Sequence, residues 1–482
     1  MAERGKAEDM QNFLMNAVVL DATRANAPEY TGRVELTMKN GVSRCFPFRV
    51  QVLLILILLS MNSIVYAKRT EPVIKIGITQ SPPWTLRFAG EFGVYYRDDS
   101  GQWRLAKDRI DQRRKWTVEH EDHRLVLVSD LGDSIISDYP LRFVPVEETA
   151  RLLLKDRVYK GELELWPAAE CLAEQDEPPY VYNYLPLEEY VCSVLASEAY
   201  PGWNHQALSA LAVAIRSYTL YNLGKHRDYD FCDQTHCQKY LGFSDHPSFS
   251  AAVQETQGEV LTWEGRVINA VYHSSSGGHT KNNEDVWGGD PAPYLRGVTD
   301  FDQNGQNYAW KQTPFFKVSQ FSAALNLKGS GGLIITPRFN LEGALIGFTF
   351  RHRRTKAGRE VSNEELRRMF ALPSGNFRLY HINREDLTKA LQTGNLVNLG
   401  TAEVNQDYLT IQAELNLVVC SRPIQDTVVL SSDEYLLFIG NGSGHGVGLS
   451  QWGAQAMGEL GHTYQAILRH FYGRVPQLTK LE

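Results

Sequence analysis

The sequence predicts an α+β protein: a helical catalytic core with flanking β-rich segments, behind an N-terminal signal sequence that marks an exported protein. Three observations predict it. Short runs of β-branched and aromatic alternation fill residues 72–182 and recur from 331 to 440. Between them, residues 186–224 switch to apolar spacing of i, i+3 and i+4. Ahead of both, "RVQVLLILILLSMNSIVYA" at 49–67 holds an apolar run of about a dozen residues ending in small ones, which is signal-like and short for a membrane span.

Taken in order, the signal is expected over about 38–67. Met38 is followed by Lys39, Arg44 and Arg49, a basic leader, so residues 1–37 read as an over-extended start and the mature chain as beginning near Lys68. An uncleaved signal anchor is the alternative; either way the rest is exported, to the periplasm or cell envelope, and touches membrane only through this segment. Residues 72–182 form a β-rich region with strands at "PVIKIGIT", "EFGVYYR", "RLVLVSD", "LRFVPV" and "KGELELW". Residues 183–330 form the α/β core. Its helices are "PLEEYVCSVLASEAY", with Pro186 at the first helical position, and "WNHQALSALAVAIRSYTLYNLG", separated by Pro201-Gly202. A Cys/His-rich loop at 226–237, a helix at 249–258 and strands in "EVLTWEGRVINAVYHSS" follow. Residues 331–440 form a β-rich insertion with one helical island at 362–372, where Ser362 and Glu365 make a capping box. Residues 441–475 return as a cleft loop and one last helix over about 449–472.

Composition bounds the function. Hydrophobic residues make up 43% and charged residues 22% of 482, and the net charge is −7 with no long basic run, which argues against a nucleic-acid partner. Of the six cysteines Cys45 falls in the signal, leaving Cys171, Cys192, Cys232, Cys237 and Cys420, an odd number for a fully disulfide-bonded exported protein.

Four stretches carry candidate chemistry. In "LASEAYPGW" Glu198 ends an apolar helix with no basic residue near it in sequence. Desolvation there raises a carboxyl pKa, as a general acid requires; a solvated helix-end residue is the alternative. In "KHRDYDFCDQTHCQKY", His226, Cys232, His236 and Cys237 make a tetrahedral zinc set, closed and therefore structural if all four ligate. A Cys232–Cys237 disulfide is the other reading. "VYHSSSGGHTKNNEDVWGG" ends a strand in His273 and three serines, a loop rich in donors for sugar hydroxyls; no nucleophile elbow accompanies it. In "GHGVGLSQWGAQAM", His445 stands among glycines ahead of a helix, either as a site residue or as a histidine bonded in a turn.

Together these stretches resemble the stage II sporulation protein D family, also called the amidase-enhancer or LytB-like family. The resemblance runs through 185–220, "CDQTHCQKY", "HSSSGGHT", "VWGGDPAPYLRGV" and the stretch 444–473, in the family's order. Tyr200 departs from it, standing where a methionine-like residue is common, and the Cys232–His236 spacing differs slightly. The resemblance implies action on peptidoglycan glycan strands as a lytic transglycosylase that leaves 1,6-anhydro-MurNAc ends, with Glu198 catalytic and a structural Zn2+ on His226, Cys232, His236 and Cys237. His445, Ser274, Ser275, Tyr218, Arg216 and Gln451 are the expected substrate-binding residues, with Arg216 either lining the groove or pairing with an acid, and Glu198 and His445 are expected to share one groove. Glu284 and Asp285 keep a two-carboxylate hydrolase open. A non-enzymatic amidase enhancer, binding glycan and a cell-wall amidase, is the alternative from a different class.

Overall fold

The computed structural model describes residues 71–482 apart from 108, 111–113, 122–123, 168–180, 312, 328, 330, 386, 389–396, 399–406, 411–421 and 482. Among the first 70 residues it describes only a separate antiparallel pair, Glu35–Thr37 with Ser43–Cys45. The expected start at Met38 and the apolar run of the signal lie outside the described residues, as do Cys171 and Cys420.

The fold is mixed, with eight α-helices among the described residues and a larger share of strand. Residues 71–186 make two sheets. Val73–Ile78 alternates side chains toward the core, with Ile74, Ile76 and Ile78 buried. It lies between Val181–Pro186, antiparallel, and the short Phe231–Cys232, parallel. The second sheet is centred on Trp84–Ala89 and Lys115–Glu121.

This first sheet positions the helices. Val181–Pro186 runs straight into α1, Leu187–Glu198, whose apolar face includes Tyr190, Val191, Val194 and Leu195. Pro186 is the residue before the helix rather than its first. After the Pro201-Gly202 break comes α2, His205–Tyr221, opened by the Asn204 side chain accepting from Gln206 N. Residues 207–217 of α2 are all buried, so it is the central rod of the core. Then follow α3, Pro247–Glu255, and the one-turn α4, Asn283–Trp287.

A second hydrophobic core gathers Phe316, Val318, Phe321, Leu333, Phe350 and Phe438, with α5, Val318–Ala324, and α6, Asn363–Met369. It begins near Thr313, so the expected boundary at 330/331 falls inside it: Phe316, Phe321 and Leu325 pack with the strands beyond. The capping box at Ser362 and Glu365 is present. This insertion closes at a neck, where Trp310 Nε1 donates to Gly442 O at 2.9 Å and Ala309 bridges Asn441.

The chain then returns to the first core. The expected last helix is two: α7, Gln451–Glu459, and α8, Tyr464–Tyr472. Gly461, at φ +87°, turns the chain between them, and Thr463 caps α8 by accepting from Ala466 N. Gln477–Lys480 then adds a strand beside Glu259–Trp263.

Candidate functional site

Glu198 is the last residue of α1 and is half-buried. Its carboxylate accepts from Lys239 N at 2.9 Å and from Gln451 Nε2 at 3.1 Å. Burial pushes its pKa above the usual carboxylate range; the two hydrogen bonds and the distant Lys239 charge pull the other way without cancelling that effect. No second carboxylate figures among the groups acting on it.

Each of those donors arrives on a fixed element. Lys239 follows the Cys/His loop, which is stapled to the sheet: Asp233 accepts from Thr79 N and Oγ1 and from Arg157 Nη1. Gln238 donates to Thr219 and Tyr190 and accepts from Tyr272 OH, and Leu241 N donates to Ser197 Oγ. Gln451 opens α7, directly after Leu449–Ser450, which pairs in parallel with Tyr272–His273.

The glycines of the C-terminal loop are needed for that approach. A Cβ at Gly448 would lie 2.1 Å from Val271 O, and one at Gly453 1.8 Å from Asp300 Oδ1. The serine loop serves the same packing. Ser275 Oγ donates to Asp302 at 2.5 Å and Ser276 Oγ to Asp300 at 2.6 Å, while Gly277 N and Gly278 N also donate to Asp302. Ser275 is 1% exposed and its hydroxyl is spent on a buried aspartate, which places it in the packing of this loop.

Arg216 is fully buried and forks onto Glu188, with Nη1 on Glu259 O, so of its two expected roles it takes the pairing with an acid, tying α1 to α2 and to a core strand. Tyr218 stands at the Cys/His loop, its ring edge on Tyr272 and its hydroxyl accepting from Lys225 Nζ, and makes no hydrogen bond to Glu198 among the described residues. Gln451 is 5% exposed and its amide is engaged by Glu198, so it holds the carboxylate.

Ser274 is half-buried; its Oγ accepts from Asn307 Nδ2 and its carbonyl from Trp452 N. Trp452 belongs to an aromatic cluster that sequence reasoning missed. Trp203 and Trp452 meet edge to face at 5.1 Å, and Tyr200, 54% exposed, lies 5.8 Å from Trp203 and 6.2 Å from Trp452. Tyr200 is two residues past Glu198 and Trp452 one past Gln451, so these rings flank the carboxylate along the chain; their place beside Glu198 and in "SQWG" was the available signal.

His445 lies elsewhere than expected. Its ring faces His273 at 5.4 Å and Trp287 at 5.0 Å, and it lines a cavity of about 620 Å³ whose wall does not include Glu198. Loss of hydration, and then His273, hold its pKa down to about 3, so it is neutral. Tyr272 feels the Glu198 charge, while the next residue, His273, faces the His445 ring. Glu284 is paired with Arg296, and Asp285 accepts from Asn282 and Asn340 on the same cavity's wall.

His226, Cys232, His236 and Cys237 converge, one donor atom of each lying within 4.8 Å of the others. The thiols are not joined in a disulfide. Separations of 3.2 Å (His226 Nε2 to Cys237 Sγ), 3.8 Å (His236 Nε2 to Cys232 Sγ) and 3.6 Å (His236 Nε2 to Cys237 Sγ) are close to the edges of a tetrahedron, about 3.3–3.8 Å, around a small borderline-soft ion. Gln234 N donates to Cys232 Sγ, and His226 stacks on Tyr229, so both are held from behind. The Cys232 thiol and then His226 draw the Cys237 pKa down to about 5, against burial.

Residues 176–263, which hold Glu198 and all four of these donors, match the family model described as Stage II sporulation protein. The chain is 27% identical over 286 residues to the amidase enhancer of Bacillus subtilis, covering 58% of this chain and 39% of that protein. It is 24% identical over 310 residues to the stage II sporulation protein D of the same organism, covering 60% of this chain and 73% of that one. An uncharacterized protein of Brachyspira hyodysenteriae is 26% identical over 429 residues, 86% of this chain and 95% of that protein.

Proposed function

By its sporulation-protein domain the chain belongs to the SpoIID/amidase enhancer family, and from that premise we propose that it is an exported lytic transglycosylase acting on peptidoglycan glycan strands in the cell envelope. The observation that carries this is the Glu198 carboxyl group, raised by burial and without an acidic partner among the described residues. Protonated, it donates to the oxygen between MurNAc and GlcNAc as the C1–O bond breaks. The resulting carboxylate takes the proton of the MurNAc C6 hydroxyl while that oxygen bonds to C1. The product is a 1,6-anhydro end, and Glu198 regains its proton. No water is consumed and no second carboxylate is needed, because the attacking hydroxyl is held in place by its own sugar ring. A hydrolase would need Glu284 or Asp285 free beside Glu198; both are committed elsewhere.

Lys239 N and Gln451 orient the carboxylate, and Tyr200, Trp203 and Trp452 offer apolar faces for pyranose rings. His226, Cys232, His236 and Cys237 would hold a Zn2+. With four protein ligands its contribution is structural, fixing the loop that delivers Lys239.

The non-enzymatic reading, in which the chain binds glycan and stimulates a wall amidase, takes its support from the name of the Bacillus subtilis relative. Glu198→Gln separates the two. Incubated with purified glycan strands, this variant should still sediment with glycan but release no fragments, whereas the wild type releases them; equal behaviour of both proteins sinks the catalytic reading.

A further inference from the structure

The stretch "QNGQNY" at 303–308 runs from the buried Asp300 and Asp302 to the neck of the insertion, and it is held at both ends. At its start, Ser275 Oγ, Gly277 N and Gly278 N all donate to Asp302, and Gln303 Nε2 donates to Asp300 O at 3.0 Å. At its end, Tyr308 N donates to Gly305 O, and the Tyr308 carbonyl accepts from Gly442 N.

Gly305 brings this loop onto Trp452. A Cβ there would lie 2.7 Å from Trp452 Cγ and 2.9 Å from its Cβ, so the approach needs glycine. Two residues on, Asn307 is exposed, yet its side chain is fixed. Its Nδ2 donates to Ser274 Oγ at 2.9 Å, and the Ser274 carbonyl accepts from Trp452 N at 3.0 Å. Asn307 and Trp452 thus share one anchor, and Trp452 directly follows Gln451, which holds Glu198. An asparagine that only shaped its loop would bond to the loop's own backbone. Asn307 bonds to a residue 33 positions away instead. Among the described residues that is the one hydrogen bond of its side chain, so Oδ1 and the second N–H stay open to a ligand.

The chemistry of that ligand follows from the wall. Residues 303–309 carry no charge, and the two aspartates behind them are spent on Ser275 and Ser276. A neutral group is called for, with an N–H for Oδ1, an oxygen beside it for the second N–H, and an apolar part for the indole. A 2-acetamido sugar has all three: the amide N–H on C2, the oxygen on C3 and the acetyl methyl.

We propose that Asn307, held by Ser274, is a specificity-determining residue that reads the acetamido group of the sugar lying on Trp452. The groove would then select N-acetylated glycan over glycan with a hydroxyl at C2. That the ligand is a glycan rests on the proposed function; the choice of substituent is independent of cleavage.

Calorimetric titration of the full chain carrying Glu198→Gln tests it, with penta-N-acetylchitopentaose and with cellopentaose, a neutral sugar of the same linkage with hydroxyls at C2. The acid is absent, so a wild type that leaves no anhydro ends would overturn the lytic reading without touching this one. The acetylated sugar should bind roughly tenfold tighter than cellopentaose, the worth of one or two hydrogen bonds. Adding Asn307→Ala should bring it down to the affinity of cellopentaose, with cellopentaose binding and the melting temperature unchanged. Equal affinity of the two sugars before that change, a preference that survives it, an equal fall for both sugars, or no heat with the acetylated sugar would each overturn the assignment.

Discussion

The Glu198 pKa is raised because the residue ends a helix packed into the core, and the two donors that face it only partly offset the lost hydration. The acid form does the work in the proposed reaction, so turnover should fall as pH rises through this raised pKa. Gln451→Leu removes one donor that lowers it, and the alkaline limb of the rate profile should move to higher pH; an unmoved limb would show that Gln451 does not act on Glu198. The sign for stability is the same: a carboxyl whose folded pKa is raised loses stability as pH climbs through that value. Glu198→Gln should therefore melt at an equal or higher temperature than wild type at alkaline pH. Arg216 behaves differently. Arg216→Ala strips Glu188 of its bidentate partner inside the core and should cost about 3–5 kcal/mol in a denaturant titration. Tyr200→Ala should weaken glycan binding by roughly 1 kcal/mol with little change in melting. Glu198 was legible in the sequence because apolar neighbours in one helix suffice to raise it. Arg216 and Ser275 were not: their partners Glu188 and Asp302 lie 28 and 27 residues away, and neither pattern nor spacing names such a pairing.

The Cys/His loop is the element on which the site turns. Its donors converge although His226 and Cys237 are eleven residues apart, and the residues just after it reach Glu198 and Ser197. Chelation, or Cys237→Ser, should therefore lower the melting temperature and also slow cleavage, because Lys239 loses its anchor. Full activity in a metal-free, fully folded protein would break that link. The loop's composition made the donor set readable in advance. The single long helix expected near the C-terminus was misread because apolar periodicity continues across Gly461; a left-handed glycine and the Thr463 cap split it. The two strand pairs that matter most, Phe231–Cys232 with Val73–Ile78 and Leu449–Ser450 with Tyr272–His273, are two residues long on one side and left no run to detect.

Across the whole molecule, one core carries Glu198 and the Cys/His loop, and an insertion with its own core enters and leaves at a neck between Trp310 and Gly442. No residue of 313–438 belongs to the first core. Excising that stretch with a short linker should leave a folded core that still melts cooperatively and sediments with glycan. The sequence showed the insertion as a β-rich block but set its start late, because Phe321 lies in α5, whose partners are strands further on. Both the acid and the intramolecular attack meet in a single product. The most direct measurement is mass spectrometry of the chain ends left on purified glycan strands by wild type and by Glu198→Gln. Wild type should leave 1,6-anhydro-MurNAc ends and the variant none; reducing ends, or the same anhydro ends from both proteins, would rule out Glu198 as the acid of a lytic transglycosylase.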